Sequence, residues 1–179
     1  MQLRLRRPRT VLWALITVLA ALVGGCGPGV GGTGTGDTAG ALDHFGAGAA
    51  SVCSSELAAL LACPAPASSS ASTASPAPLY LADALENRHL QGRLEGDAID
   101  LTAPCVPLHF RGVWGVAAGQ AGRYYGYIDP DAAPAPATLE VQANGPGLQL
   151  KLRDAGGRVL LGPVAVTVVA APAAPGGCS

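Results

Sequence analysis

The clearest strand pattern lies at residues 138–153, which read Thr-Leu-Glu-Val-Gln-Ala-Asn-Gly-Pro-Gly-Leu-Gln-Leu-Lys-Leu-Arg. Apolar and polar residues alternate on both sides of Asn144-Gly145-Pro146-Gly147. Alternation with a period of two predicts a strand with one buried face, and the Asn/Gly/Pro cluster predicts a tight turn. We therefore expect a β-hairpin that points Leu148, Leu150 and Leu152 towards a core.

The same pattern recurs along most of the C-terminal half. Leu108 to Val116 carries the longest apolar face, and Glu95-Gly96-Asp97 is a second turn signal. Between residues 79 and 170 the alternation predicts about seven or eight short strands, with turns roughly every 8–12 residues. This spacing is typical of a small antiparallel β-sandwich or barrel, so we predict a mainly β fold.

The N-terminus has a different composition. Four arginines (Arg4, Arg6, Arg7 and Arg9) precede an apolar run from Val11 to Val23, which ends in Gly24-Gly25-Cys26. Basic, then apolar, then small residues are the pattern of a secretory signal peptide. The apolar run has 13 residues, whereas a membrane-spanning helix needs roughly 20. We therefore predict an export signal rather than a transmembrane anchor.

The residues Val23-Gly24-Gly25-Cys26 resemble the lipobox of bacterial lipoproteins. The resemblance implies cleavage before Cys26 and a diacylglyceryl group on its sulfur, usually with a third acyl chain. Two or more chains give stable membrane attachment. In this family an Asp after the lipidated Cys retains the protein in the inner membrane. Here that position is Gly27, so the resemblance implies the outer membrane, facing the periplasm.

Composition divides the chain into five segments. The predicted boundaries are a signal peptide at 1–25, a Gly-rich tether at 26–48, a short helix at 49–63, an Ala/Ser/Pro-rich linker at 64–78 and a small β-rich domain at 79–179. The helix is suggested by Leu57, Leu60 and Leu61, which share one face at helical spacing. Gly- and Ser-rich segments have few side chains to bury and act as flexible spacers.

Four cysteines remain after Cys26, and an exported protein keeps its cysteines oxidised. They are Cys53, Cys63, Cys105 and Cys178. An even number predicts two disulfides, for which three connectivities exist. If 55–62 were helical, Cys53 and Cys63 would lie about 15 Å apart, beyond the roughly 7 Å that a disulfide allows. We therefore expect each of them to pair with Cys105 or Cys178.

The net charge of the mature chain argues against two roles. After the signal peptide the chain has seven basic and twelve acidic residues, a net charge of −5. Such a surface argues against nucleic-acid binding and against a polybasic membrane-binding role.

No familiar catalytic or metal-binding motif occurs in the sequence, so we assign no catalytic residue, metal ligand or cofactor. Of the histidines, His89 and His109 lie on outward strand faces, and Asp129-Pro130-Asp131 is read as a polar turn rather than a calcium site. The candidate binding patch is aromatic: Trp114, Arg123, Tyr125 and Tyr127. Such side chains either form a platform for a sugar or protein, or fill the core.

Together these features predict a membrane-anchored envelope lipoprotein that acts as a non-catalytic binding or accessory module for an envelope protein or glycan. The alternative is an enzyme acting on envelope polymers, or an inhibitor of a cell-wall hydrolase. An enzyme would require a cleft with converging polar groups.

Overall fold

The computed structural model describes residues 38–63, 77–83 and 90–172, all within one compact unit. The predicted signal peptide, Cys26, His89 and Cys178 lie outside the described residues, as does most of the predicted linker. The described part contains one α-helix, α1 (Thr38–Phe45), and a 3-10 turn at Val52–Ser54. Its strands are β1 (Ala47–Ala49), β2 (Leu79–Asp83), β3 (Gln91–Glu95), β4 (Ala98–Ala103), β5 (Leu108–Ala117), β6 (Arg123–Ile128), β7 (Ala135–Asn144), β8 (Gly147–Asp154) and β9 (Val159–Val169).

Strands β2 to β9 form a closed antiparallel barrel. Each strand pairs with the next along the chain, and β9 pairs with β2 to close the ring. The mainly β prediction is therefore confirmed, in its barrel form. The hairpin predicted at 138–153 is present, with Asn144 opposite Gly147 and a two-residue loop between them. Gly145 has a φ of +59°, which glycine adopts without steric cost and which suits such loops.

The barrel interior is filled by side chains. Inward positions alternate with outward ones along each strand, as a barrel requires. Phe110, Leu101, Leu139, Leu150 and Leu152 are all fully buried there. Burying side chains of this size contributes about 1.5–3 kcal/mol each before the cost of ordering the chain.

Residues 51–63 form a plug at one end of the barrel. Val52, Leu57 and Leu61 belong to the same buried cluster as the barrel core. The plug begins beside the β3–β4 hairpin, where the Asp97 carboxylate accepts hydrogen bonds from Val52 N at 2.7 Å and Ser51 Oγ at 3.1 Å. The predicted short helix is therefore wrong: after the 3-10 turn, the apolar residues at helical spacing lie in successive turns.

The disulfide prediction is also wrong for this pair. Cys53 and Cys63 are bonded to each other, with their Cα atoms 5.5 Å apart. The expected separation assumed a rise of about 1.5 Å per residue along a helix, whereas the turns bring the ends of the plug together. Cys105 is disulfide-bonded as well.

The predicted tether extends too far along the chain. Residues 38–48, which were assigned to it, form α1 and part of β1, and β1 pairs with the end of β5. Ala41 and Leu42 are buried against the outer wall of the barrel. This packing orders a short helix that local composition alone would leave flexible, because tertiary contacts supply most helix stability.

Candidate functional site

The predicted aromatic patch is divided between the two sides of the barrel wall. Trp114 faces the interior and is 3 % exposed. It pairs across the strands with Tyr124, and their ring centroids lie 5.0 Å apart in an edge-to-face arrangement. Trp114 is therefore a core residue, which corrects its assignment to a binding surface.

Tyr125 and Tyr127 face outwards, as the platform hypothesis required, but α1 covers them. Tyr125 is 2 % exposed, with the Phe45 ring 5.4 Å from its own. Tyr127 is half-buried and packs in the same small cluster. The buried Tyr125 ring offers no open face for stacking on a sugar, so the predicted aromatic residues do not form one exposed platform. Arg123 is the member of the predicted patch that stays on the polar wall.

Arg123 belongs to a group of charges on the outer wall of β6, β7 and β8. Glu140 of β7 lies 3.8 Å from Arg123, 3.7 Å from Lys151 and 3.1 Å from Arg153, measured between the charged atoms. We call Arg123, Lys151 and Arg153 the cation cluster. One carboxylate serves three cations, so the group carries a net charge of +2.

Strand register creates this group. Glu140 is directly opposite Lys151 across the β7–β8 hairpin. Tyr124 is opposite Leu139, so Arg123 is the next residue along β6 on the side of Glu140. The Glu140–Lys151 pair could have been predicted from the sequence. Both residues alternate with inward apolar residues, and the Asn144–Gly147 turn sets them opposite each other. The approach of Arg123 requires the β6–β7 register, which the long loop between those strands does not fix.

A second polar network lies on β4 and β5. His109 Nε2 is 3.0 Å from Asp100, and Arg111 Nε is 3.2 Å from the other oxygen of the same carboxylate. Asp131 lies further out, 3.8 Å from His109 Nδ1 and 3.9 Å from Arg111. Here two carboxylates face one arginine and one histidine, so the network leaves no excess of cations.

The other acidic residues noted in the sequence have separate partners. Glu95 pairs with Arg93 at 2.8 Å, and Asp97 anchors the plug. Asp129 begins a turn with a φ of +48°, and its N–H donates to His109 O, which agrees with the polar-turn interpretation. Among the described residues, no group of three or more His, Cys, Asp and Glu could hold a metal ion.

The plugged end of the barrel contains a buried hydroxyl. Tyr124 OH has no hydrogen-bond partner, and Tyr124 lines a small cavity together with Leu57 and Leu61 of the plug. Burial raises the pKa of the Tyr124 hydroxyl far above its usual value, and the negative charge of Asp97 raises that pKa further. The group therefore stays protonated in the folded protein above about pH 10, where an exposed tyrosine ionises.

This shift predicts a loss of stability at alkaline pH. In the unfolded chain a tyrosine ionises near pH 10, so above that pH the unfolded state releases a proton that the folded state retains. Stability is then intact below about pH 10 and falls as the pH rises, by about 1 kcal/mol at pH 11. Urea unfolding at pH 8 and pH 11 should show that Tyr124→Phe loses less stability than wild type over this interval. Tyr80→Phe, which keeps Tyr124, should behave as wild type, and an equal pH effect in all three chains would contradict the assignment.

An apolar groove of about 240 Å³ runs beside the plug, between Leu61, Leu79 and Leu94. Cys63 and Ala77 also line it, and they flank a segment outside the described residues. We therefore assign no ligand to the groove.

Comparison with known proteins supplies no family. No protein-family model, curated protein or solved structure matches the chain. In the part of the chain that the structure describes, no helix is long and apolar enough to cross a membrane.

Proposed function

We propose that this chain is a lipid-anchored cell-envelope lipoprotein whose barrel acts as a non-catalytic binding or accessory module. The anchor would be Cys26, and the absence of an Asp at position 27 favours the outer membrane, facing the periplasm. The sequence Val23-Gly24-Gly25-Cys26 after a basic and apolar leader supports this proposal.

The observation that carries the binding role is the packing of the barrel. Side chains and the plug occupy its interior, with Leu101, Phe110 and Leu150 each 0 % exposed. A partner would therefore be recognised by the outer wall, where the charged groups lie on rigid strands. Groups on strands are held more firmly than groups on loops, which suits recognition of a fixed partner.

Membrane fractionation tests the anchor. Wild type should stay with the membrane pellet through washes with high salt, because two or more acyl chains hold a protein stably while ion pairs are screened. Cys26→Ser should lose that attachment or accumulate as the uncleaved precursor. Cys105→Ser, which changes a cysteine outside the anchor, is the control and should remain in the pellet. Release of wild type by salt would contradict the proposal.

A further inference from the structure

We propose that the cation cluster of Arg123, Lys151 and Arg153 docks on the anionic phospholipid headgroups of the membrane that carries the anchor. The inference rests on the proposed attachment at Cys26 and adds a defined orientation of the barrel to it. The charges of the domain are distributed unevenly over its surface, which the net charge does not show.

The described residues carry ten acidic and six basic side chains, a net charge of −4. Three of the six cations have carboxylate partners of their own: Arg93 with Glu95, Arg111 with Asp100, and Arg158 with Asp154. The other three share Glu140. The wall of β6 to β8 therefore carries the local positive excess of an otherwise acidic domain.

The cation cluster retains donors for an external anion. Arg153 Nε makes a hydrogen bond to Glu140 at 3.1 Å and Arg153 NH1 donates to Gly157 O at 2.9 Å. Arg123 NH1 and Lys151 Nζ lie 3.8 and 3.7 Å from Glu140, which exceeds hydrogen-bond distance. A guanidinium has five N–H donors and an ammonium has three, so both groups can bind phosphate oxygens without breaking their pairing with Glu140.

The cation cluster spans three neighbouring strands of the outer wall. Strands lie about 4.8 Å apart, so the backbones of Arg123 and Lys151, on either side of β7, are about 10 Å apart, while their charged atoms lie 3.8 and 3.7 Å from Glu140. Arginine and lysine both bind phosphate, and basic groups are attracted to an anionic leaflet within about one Debye length. The acidic remainder of the domain is repelled by the same surface, which favours docking through this wall.

The tether allows the contact. Between Cys26 and the start of α1 lie residues 27–37, and a segment of that length can span at most about 40 Å. Helix α1 packs on β5 and β6 and also contacts β7, and Gly40 in its first turn lies beside Tyr127, on the same strand as Arg123. A short tether raises the effective concentration of headgroups to the millimolar range, so weak docking suffices to orient the barrel.

Energy transfer from Trp114 to a dansyl-labelled lipid measures the docking. The polypeptide 26–179 contains every described residue, and Trp114 is its single tryptophan. Coupling Cys26 to a maleimide-bearing lipid reproduces the tether whether or not cells acylate the chain. Transfer should be higher in vesicles containing phosphatidylglycerol than in pure phosphatidylcholine vesicles. The increment should disappear in about 0.5 M salt, where the Debye length is about 4 Å.

Matched variants locate the effect. Arg123→Gln/Lys151→Gln should abolish the increment, while Arg93→Gln/Arg158→Gln, which removes the same charge elsewhere, should keep it. Glu140→Gln should enlarge the increment, a gain that misfolding would not produce. Equal transfer in both vesicle types, equal loss in both double variants, or displacement by millimolar inorganic phosphate at constant ionic strength would overturn the proposal. Because the lipid is attached chemically, such a result leaves acylation in cells to be decided by its own measurement.

Discussion

Gly126→Ala is expected to destabilise the barrel by about 3 kcal/mol or more. Gly126 of β6 lies opposite Gly112 of β5, and both face the interior, where the two strands approach closely. A methyl group at position 126 would overlap the carbonyl oxygen of Arg111 and would lie 2.6 Å from Gly112 Cα. These neighbours are backbone atoms of a paired strand, so relief requires the strands to move apart.

Overfilling a packed core costs about 1–3 kcal/mol, and more when the backbone must shift. We expect a loss of about 3 kcal/mol or more in the free energy of unfolding, out of the 5–15 kcal/mol typical of small domains. Thermal unfolding followed by circular dichroism measures it. Gly48→Ala is the matched control, since the added atom comes no closer than 3.9 Å to Val116 O. Equal melting temperatures for the two variants would contradict the close approach of β5 and β6.

Cys53→Ser/Cys63→Ser is expected to give the second large effect, by releasing the plug. The disulfide closes a short loop with a sequence separation of 10, and the chain-entropy model gives such a cross-link about 2–3 kcal/mol. Within that loop, Leu57 is 1 % exposed and Leu61 is 8 % exposed, so a mobile plug would uncover the apolar barrel end. The urea midpoint should fall, and the native-state protein should bind an apolar dye such as ANS.

A second variant separates the cross-link from the packing of the plug. Leu57→Ala keeps the disulfide and removes one buried side chain, at an expected cost of about 2–5 kcal/mol, and should increase dye binding less than loss of the disulfide. If the double serine variant unfolds at the urea concentration of wild type and binds no dye, the disulfide does not hold the plug in place.

Much of the fold could be predicted because strand alternation is a local signal. The polar and apolar residues of 138–153 specify two strands, their inward faces and the turn that sets their register. The turn signals at Gly96 and Gly145 likewise allowed the β3–β4 and β7–β8 hairpins to be predicted. Closure of β2 onto β9 joins the two ends of the domain, so no local pattern distinguished the barrel from a sandwich.

The errors have a common cause, which is that contacts distant in sequence override local pattern. Leu57, Leu60 and Leu61 have helical spacing, but the Cys53–Cys63 bond and the barrel end select turns. The Gly-rich sequence around α1 gave no sign that Leu42 and Phe45 are part of a helix. These two residues pack with Tyr125 in one apolar cluster. The predicted aromatic patch was wrong because its members point to opposite sides of the barrel wall. Trp114 is paired with Tyr124 and faces the interior with it, whereas Tyr125 faces outwards.

The cation cluster was visible in the sequence only as separate outward residues. Lys151 and Arg153 alternate with leucines on one strand, and Glu140 lies on the strand before it. The net charge of the chain argued against a basic surface, because a total contains no information about position. Strand pairing places three of the described cations beside the single carboxylate of Glu140. The composition of the chain could not predict this arrangement.

We propose that the barrel is held to the membrane through Cys26, and the intact mass of the protein extracted from membranes tests this attachment. Wild type should begin at Cys26 and carry the added mass of its acyl chains, while Cys26→Ser should be uncleaved or lack that mass. A wild-type chain that begins at another residue, with an unmodified Cys26, would contradict the anchor and the function proposed from it.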